Sequence, residues 1–253
     1  MPSCQVEVDD SSAVVRLTGT LDAAGVEAVR DALLACLWDR PGPVVADVTG
    51  LRMVDPAGRA VFAEVRREVA DWPAVDLLLC DPTVGRPEQV DVGAPTRPVL
   101  VAGVPAWPAV DDALASVAVT PPGAVLSAEL APAVGAARQA RELVTIGCRR
   151  WGMPMLVDPA TIAITEMVNN VVAHARTPMT VRLAARDDTL HLAVRDYSAR
   201  HPTFAGLSPP NRVGGRGLLL IDTVARRWGS SALPDGKVVW CVLSPDDEVA
   251  HLS

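Results

Sequence analysis

The chain has 253 residues, of which 49% are hydrophobic and 21% are charged, a balance that argues against a disordered chain. Its formal net charge of −7 disfavours a direct nucleic-acid partner, because phosphate contacts need clustered Lys and Arg. The longest uncharged stretches are shorter than the ~20 apolar residues of a membrane helix, and no secretion signal is visible, so we expect a cytoplasmic protein without a membrane partner. The five cysteines form no CxxC pair and are expected to be buried free thiols.

The N-terminal half alternates short β-type runs with helical runs. Strands are predicted at 13–17, 44–48, 75–80 and 99–102, and helices at 24–38, 58–70 and 109–117. Alternation of this kind indicates an α/β layer fold. We assign this half to one domain, residues 1–118.

A proline-rich segment, Thr120-Pro-Pro-Gly-Ala, separates the two halves. Because consecutive prolines hold the chain extended, residues 119–127 are predicted to be an inter-domain linker. The second domain, 128–246, is predicted to open with a long helix at 132–151. Asp158 is predicted to cap a second helix, which starts at Pro159 and runs to about Ala175. The remaining predictions for this domain are strands at 180–185, 190–196 and 238–243 and a helix at 217–228.

Three polar residues follow one face of the second of these helices. Glu166, Asn170 and His174 are spaced by four, and the helix around them is too apolar for an ordinary solvent-facing side. The stripe is therefore predicted to line a pocket, although a polar face that merely touches water has the same periodicity. An Asn carbonyl oxygen suits Mg²⁺, and a Glu one turn away suits a general base. For His174 alone, a structural histidine is favoured over a catalytic one.

The segment Glu166-Met-Val-Asn-Asn170-Val-Val-Ala-His174-Ala resembles the N box of the GHKL ATPases, and within that group the serine kinases that act as anti-sigma factors. The resemblance implies that Glu166 is the base that activates a substrate hydroxyl and that Asn170 is the Mg²⁺ ligand. The implied cofactors are ATP and Mg²⁺.

Two further motifs of the second domain extend the resemblance. Asp196 lies at a strand end in Val194-Arg-Asp196-Tyr-Ser198, where the family has the aspartate that binds the adenine amino group. Ser198 is likewise predicted to contact the nucleotide. Gly215, Arg216 and Gly217 fall on the glycine-rich box before a helix, where backbone amides approach phosphates. Alone, Asp196 is equally a strand-end turn residue and the glycines an ordinary tight turn. The first glycine box of the family, Asp-x-Gly-x-Gly, lacks both glycines here.

The N-terminal half resembles the STAS domain of anti-sigma factor antagonists, through Val15-Arg-Leu-Thr-Gly-Thr-Leu-Asp22, Val44-Val-Ala-Asp-Val-Thr-Gly-Leu51 and Val54-Asp55-Pro-Ala-Gly58. A plain α/β domain with a Pro-Ala turn fits the same residues. The phosphoacceptor of that family lies in Asp-Ser-Ser-Gly, whereas Asp55-Pro56-Ala57-Gly58 has no hydroxyl. This half is therefore predicted not to be phosphorylated at the usual place.

The expected architecture is a two-domain α/β chain, in which a STAS-like mixed sheet with helices precedes a GHKL (Bergerat) α/β sandwich. The expected function is that of an ATP-dependent serine/threonine kinase in a partner-switching pathway that controls transcription. Its partners would be an antagonist with a phosphorylatable Ser, a sigma factor, or both, and the family also allows a homodimer. The alternative is a non-catalytic module that sequesters a sigma factor or antagonist in a nucleotide-dependent way.

Overall fold

The computed structural model describes residues 4–9, 13–40, 42–84, 98–117, 124–198 and 216–245. Contacts divide the chain into two compact units with a boundary between Pro122 and Gly123, except that the short segment Asp71–Ala74 groups with the second unit. No helix in the described ranges combines the length and apolarity needed to cross a lipid bilayer. Each unit is an α/β assembly, as the sequence predicts.

The first unit is a six-stranded mixed sheet with helices packed on it. Its sheet order is β1-β2-β3-β4-β6-β5, with parallel pairing from β2 through β6 and an antiparallel strand at each edge. The strands are β1 Gln5–Val8, β2 Val14–Leu21, β3 Gly42–Met53, β4 Val75–Cys80, β5 Val99–Val101 and β6 Val104–Trp107, and the helices are α1 Val26–Asp39, α2 Pro56–Glu68 and α3 Val110–Val117.

Helix α2 shows how the sequence sets its own boundary. Asp55 has an extended backbone and accepts a hydrogen bond from the Ala57 amide at 2.8 Å, and Pro56 occupies the first helical position. Gly58 packs closely behind this cap, because a Cβ there would lie 3.3 Å from Leu21 Cγ, tighter than an ordinary van der Waals contact. The predicted start at Gly58 was therefore two residues late. Strand β1 at one edge of the sheet and strand β6, which lies between β4 and the edge strand β5, were not predicted.

The second unit is an antiparallel five-stranded sheet with a layer of helices against it. The sheet order is β10-β11-β9-β8-β7. Its elements are β7 Val125–Leu130, α4 Ala136–Arg150, a short 3₁₀ turn Pro154–Leu156, α5 Val157–Asn170, a π turn Val171–Ala175, β8 Met179–Arg186, β9 Thr189–Asp196, α6 Arg216–Val224, β10 Arg227–Leu233 and β11 Gly236–Leu243.

Apolar periodicity explains the helix layer of this unit. Ala136, Ala140, Val144 and Cys148 recur every fourth residue on α4, and all four are buried. They join one hydrophobic cluster with the inward-facing residues of α5, α6 and the strands. This core places the carboxyl end of α5 and the start of α6 in the same layer.

Several predicted boundaries in this unit were wrong. The unit opens with strand β7, which pairs with β8, rather than with a helix, and β7 includes residues 125–127 of the predicted linker. Linker residues 119–123 lie outside the described residues. Helix α5 begins at Val157, so Asp158 lies in its first turn instead of capping it. The helix predicted at 217–228 stops at Val224, because Trp228 joins β10 opposite Cys241.

The cysteines are all free thiols. Four are buried, as predicted, and Cys4 is only half-buried. Burial raises the pKa of Cys241 to about 12, and burial together with Asp47, Asp81 and Asp112 raises the pKa of Cys80 to about 11. Both thiols are therefore protonated and unreactive near neutral pH.

Candidate functional site

Helix α5 positions the two polar side chains on which the predicted site depends. Glu166 and Asn170 lie one turn apart, and both are half-buried beside the core residues Met167 and Val171. Within the part of the chain that the structure describes, neither the Glu166 carboxylate nor the Asn170 amide forms a hydrogen bond or an ion pair. Half-buried polar groups without protein partners are available to a ligand.

The helix changes character immediately after Asn170. It continues as one π turn, Val171–Ala175, in which the Arg176 amide donates to the Val171 carbonyl at 2.7 Å, and Arg176 then ends the helix with a φ of 57°. His174 lies in this π turn and is exposed, whereas Glu166 and Asn170 lie in the α-helix and are half-buried. Such π turns are frequent at functional sites.

A cavity of about 410 Å³ opens beside the π turn. It is lined by Ala173, His174, Ala175, Arg176 and Ser198. Sites for small molecules typically have volumes of about 300–1,000 Å³, so this cavity is large enough for part of a nucleotide. It lies between the carboxyl end of α5 and the segment after β9. Among the described residues of the predicted site, Ser198 lines this cavity, whereas Glu166, Asn170 and Asp196 do not.

Asp196 closes strand β9, and only 1% of the residue is exposed. The turn that follows is held by two backbone donors: the Ser198 amide donates to Asp196 Oδ1 at 2.9 Å, and the Tyr197 amide donates to Thr177 Oγ1 at 3.1 Å. Neither Tyr197 nor Ser198 has a positive φ. The described part of this turn therefore needs no glycine, which accounts for the departure from the family pattern without backbone strain.

Lys237 is a residue of the candidate site that the sequence motifs did not reveal. It lies directly opposite Asp196 in the β9–β11 ladder, and its Nζ is 2.9 Å from both carboxylate oxygens. The Nζ also lies 3.5 Å from the Ser198 carbonyl oxygen. The available signal was compositional, because Lys237 is the only lysine in the sequence and it opens an otherwise apolar strand.

The glycine-rich box is only partly described. Arg216 and Gly217 are the first two residues of α6, so the box leads directly into a helix N-terminus, as predicted. Gly215 lies outside the described residues, as do Ala199 and Arg200 of the first box. At the other end of α6, Trp228 Nε1 donates to Asp222 Oδ1 at 2.9 Å, which ties the helix to β10.

The donor set fits a nucleotide with Mg²⁺ at one end better than a metal bound by protein alone. Among the described residues, no three His, Cys, Asp or Glu side chains are grouped as a metal site. Mg²⁺ usually keeps waters and binds substrate phosphates with few protein ligands, so the Asn170 oxygen with a nearby Glu166 is a suitable set. The Asp196 carboxylate is buried and is shared with Lys237.

Comparison with known proteins supports this interpretation. Residues 127–243 match the model of the histidine kinase-like ATPase domain, and residues 4–72 match that of the Mlab, STAS domain. No curated protein matches the sequence. Among solved structures, the chain is similar to the crystal structure of the RsbU and RsbW domains of Rv1364c from Mycobacterium tuberculosis, with 18% identity over 47% of this chain and 31% of that one and a TM-score of 0.37. The chain therefore joins an N-terminal STAS domain to a C-terminal histidine kinase-like ATPase domain.

Proposed function

We propose that this chain is a cytoplasmic partner-switching regulator whose C-terminal domain binds Mg·ATP and phosphorylates a Ser or Thr on a separate antagonist protein. The observation that supports this most directly is the pair Glu166 and Asn170, half-buried one turn apart and without protein partners in the described ranges. The match to a histidine kinase-like ATPase domain makes ATP the implied nucleotide.

In this proposal Asn170 and Glu166 have different roles. The Asn170 amide oxygen would hold a Mg²⁺ ion, which would neutralise charge on the phosphates of a bound ATP. The Glu166 carboxylate would orient the incoming hydroxyl and accept its proton as the new oxygen–phosphorus bond forms and the bond from the γ-phosphorus to the ADP leaving group breaks. The start of α6 at Arg216 and Gly217 offers unpaired backbone amides to the phosphates.

The test is phosphoryl transfer in a purified system. The full chain is incubated with Mg²⁺, γ-labelled ATP and a separately purified STAS protein that has an intact Asp-Ser-Ser-Gly, beside a form of that protein with both serines changed to alanine. Label is expected on the first substrate alone. Glu166→Gln is expected to lower the rate by about a hundredfold or more, the usual size of a general-base contribution, while ATP binding persists.

A matched variant separates binding from chemistry. Asn170→Ala is expected to abolish the Mg²⁺ dependence of ATP binding measured by titration calorimetry, whereas Glu166→Gln keeps it. Equal labelling by wild type and Glu166→Gln would remove Glu166 from the mechanism. Absence of any labelling, with Mg·ATP bound, would favour the second candidate function.

That second candidate is a non-catalytic module that sequesters a sigma factor or antagonist when nucleotide is bound. The specific observation in its favour is the altered first glycine box, because Ser198 stands where the family has its first glycine after the aspartate. This version predicts partner capture that changes with added ATP and is insensitive to Glu166→Gln. Capture that ignores ATP would exclude it.

The STAS half is proposed to bind a partner rather than to receive phosphate. The α2 cap contains Asp55, Pro56 and Ala57, none of which has a hydroxyl, and the Asp55 carboxylate already occupies the helix N-terminus. A phosphate would meet that negative charge instead of free amides. The partners proposed for the whole chain are an antagonist protein, a sigma factor, or a second copy of this chain.

A further inference from the structure

A buried ion pair lies at Asp196, the residue predicted to bind the base of the nucleotide. Asp196 and Lys237 face each other across β9 and β11, with side chains only 2% and 9% exposed. Both face the helix layer, since they share strand parity with Val194 and Val239, which pack in its core. The ion pair is therefore buried on the inner face of the sheet and is not a surface contact.

The hydrogen-bonding capacity of the Asp196 carboxylate is largely used within the protein. An ionised carboxylate has about four acceptor positions. Lys237 Nζ is 2.9 Å from Oδ1 and 2.9 Å from Oδ2, and the Ser198 amide donates to Oδ1 at 2.9 Å. The three ammonium protons have three acceptors within reach, the third being the Ser198 carbonyl oxygen at 3.5 Å. One acceptor position on Oδ2 is all that remains for a ligand.

This arrangement changes what a purine would meet at its position 6. An amino group there is a donor, so it competes with Lys237 for Asp196 and places its positive hydrogens beside an ammonium. A carbonyl oxygen at the same position is an acceptor, which an ammonium attracts. The ion pair therefore removes the advantage that a lone carboxylate gives to adenine.

We propose that Lys237 sets the base preference of this site by occupying the Asp196 carboxylate, so that 6-oxo and 6-amino purine nucleotides bind with similar affinity. The inference rests on the proposed nucleotide site. Lysine is suited to the role, because its ammonium is a compact donor without any acceptor, and no other lysine exists in the chain.

The wild-type chain provides the first test. Titration calorimetry with Mg·ATP and with Mg·ITP, which differ at position 6 of the base and in the hydrogen that hypoxanthine carries on N1, is expected to give affinities within about threefold of each other, far less than the tenfold or more that one hydrogen bond to a charged group provides. A preference for ATP above tenfold would overturn the proposal. This measurement needs no substitution at the buried pair.

Two substitutions of Lys237 then identify the cause. Lys237→Met keeps the length of the side chain but removes its charge and donors, and Lys237→Thr leaves a short neutral donor opposite Asp196. Both are expected to raise the ratio of ATP to ITP affinity by about tenfold or more, the size of a regained charged hydrogen bond. If only the Thr variant changes the ratio, space and not charge is the determinant, and the proposal is wrong.

The matched control is Arg195→Met. Arg195 precedes Asp196 on the opposite face of β9 and is a buried cation paired with Asp235 at 2.8 Å. Its removal is expected to leave the ratio unchanged, and an equal change would show that any lost cation has the effect. Circular dichroism confirms that each variant is folded.

The outcomes separate this inference from the proposed function. If wild type binds neither nucleotide but the Lys237 variants bind ATP, Lys237 blocks the base site outright, and both the similar affinities and native ATP use are wrong. If wild type binds ATP selectively, the proposed site stands and the inference fails. If no protein binds either nucleotide, Lys237 controls nothing and both fail.

Discussion

Gly236 is the residue on which the backbone geometry around Asp196 depends most. A Cβ at this position would overlap the Asp196 carbonyl oxygen and would lie 2.8 Å from Tyr197 Cα. Because both are backbone atoms, the end of β9 must move to admit a side chain. We expect Gly236→Ala to lower the free energy of unfolding by about 2 kcal/mol, the usual cost of overpacking, and to weaken nucleotide binding. Urea titration and calorimetry measure the two effects.

The control for this substitution is another glycine with room around it. Gly135, which precedes α4, has a φ of −83°, and a Cβ there would meet no atom within 4 Å. Gly135→Ala is expected to change stability by less than about 0.5 kcal/mol, as surface substitutions usually do, and to leave binding intact. A similar loss in both variants would mean that overlap with the Asp196 backbone is not the cause.

The residues of the candidate site were predictable to different degrees. Glu166 and Asn170 depend on local helical spacing, which a sequence displays directly, and α5 holds both as predicted. His174 follows them in a π turn, which depends on packing that spacing does not reveal. Lys237 acts through its cross-strand register with Asp196, a contact between residues 41 apart in the chain, so no local pattern assigned it a role.

At the scale of the element, the start of α2 supports a stability prediction. The Asp55 carboxylate accepts from the Ala57 amide and also interacts favourably with the helix dipole. We expect Asp55→Ala to lower the free energy of unfolding of the STAS domain by about 1 kcal/mol, the usual cost of losing an N-cap. Urea unfolding of the full chain measures it.

Asp55→Asn separates the stabilisation by the capping hydrogen bond from the stabilisation by the negative charge. An asparagine side chain keeps the acceptor oxygen, so this variant is expected to retain most of the stability that Asp55→Ala loses. If the Asn and Ala variants are equally destabilised, the contribution is electrostatic and the hydrogen bond at 2.8 Å is not what stabilises the start of α2.

Helices and central strands were more predictable than edge strands. The four-residue repeat of buried residues on α4 marks a helix regardless of its surroundings. The edge strands β1, β7 and β10 were missed. Strand β7 pairs with β8, a partner distant in the chain, whereas β1 and β10 pair with the next strand along, and β10 contains Gly229 under the ring of Trp240. A Cβ on Gly229 would lie 2.6 Å from Trp240 Cζ2, a fit visible only in three dimensions.

At the scale of the whole molecule, each unit has a hydrophobic cluster of its own. In the first unit Val14, Val45, Leu78 and Trp107 belong to one such cluster, and in the second the helix layer packs on the inner sheet face in another. Units of this size with separate cores are expected to unfold as separate cooperative transitions. The chain should therefore give two transitions in differential scanning calorimetry.

Nucleotide should then stabilise one of these two transitions. A ligand that binds only the folded state adds about 2.7 kcal/mol at a concentration one hundred times its dissociation constant. We expect Mg·ATP at that ratio to raise the melting temperature of the ATPase domain while the STAS transition stays in place, because every proposed ligand contact lies in residues 166–237. Asn170→Ala should abolish the part of the shift that depends on Mg²⁺. A single transition that moves as a whole would instead show that the two domains unfold as one cooperative unit, and nucleotide occupancy would then stabilise the STAS domain as well.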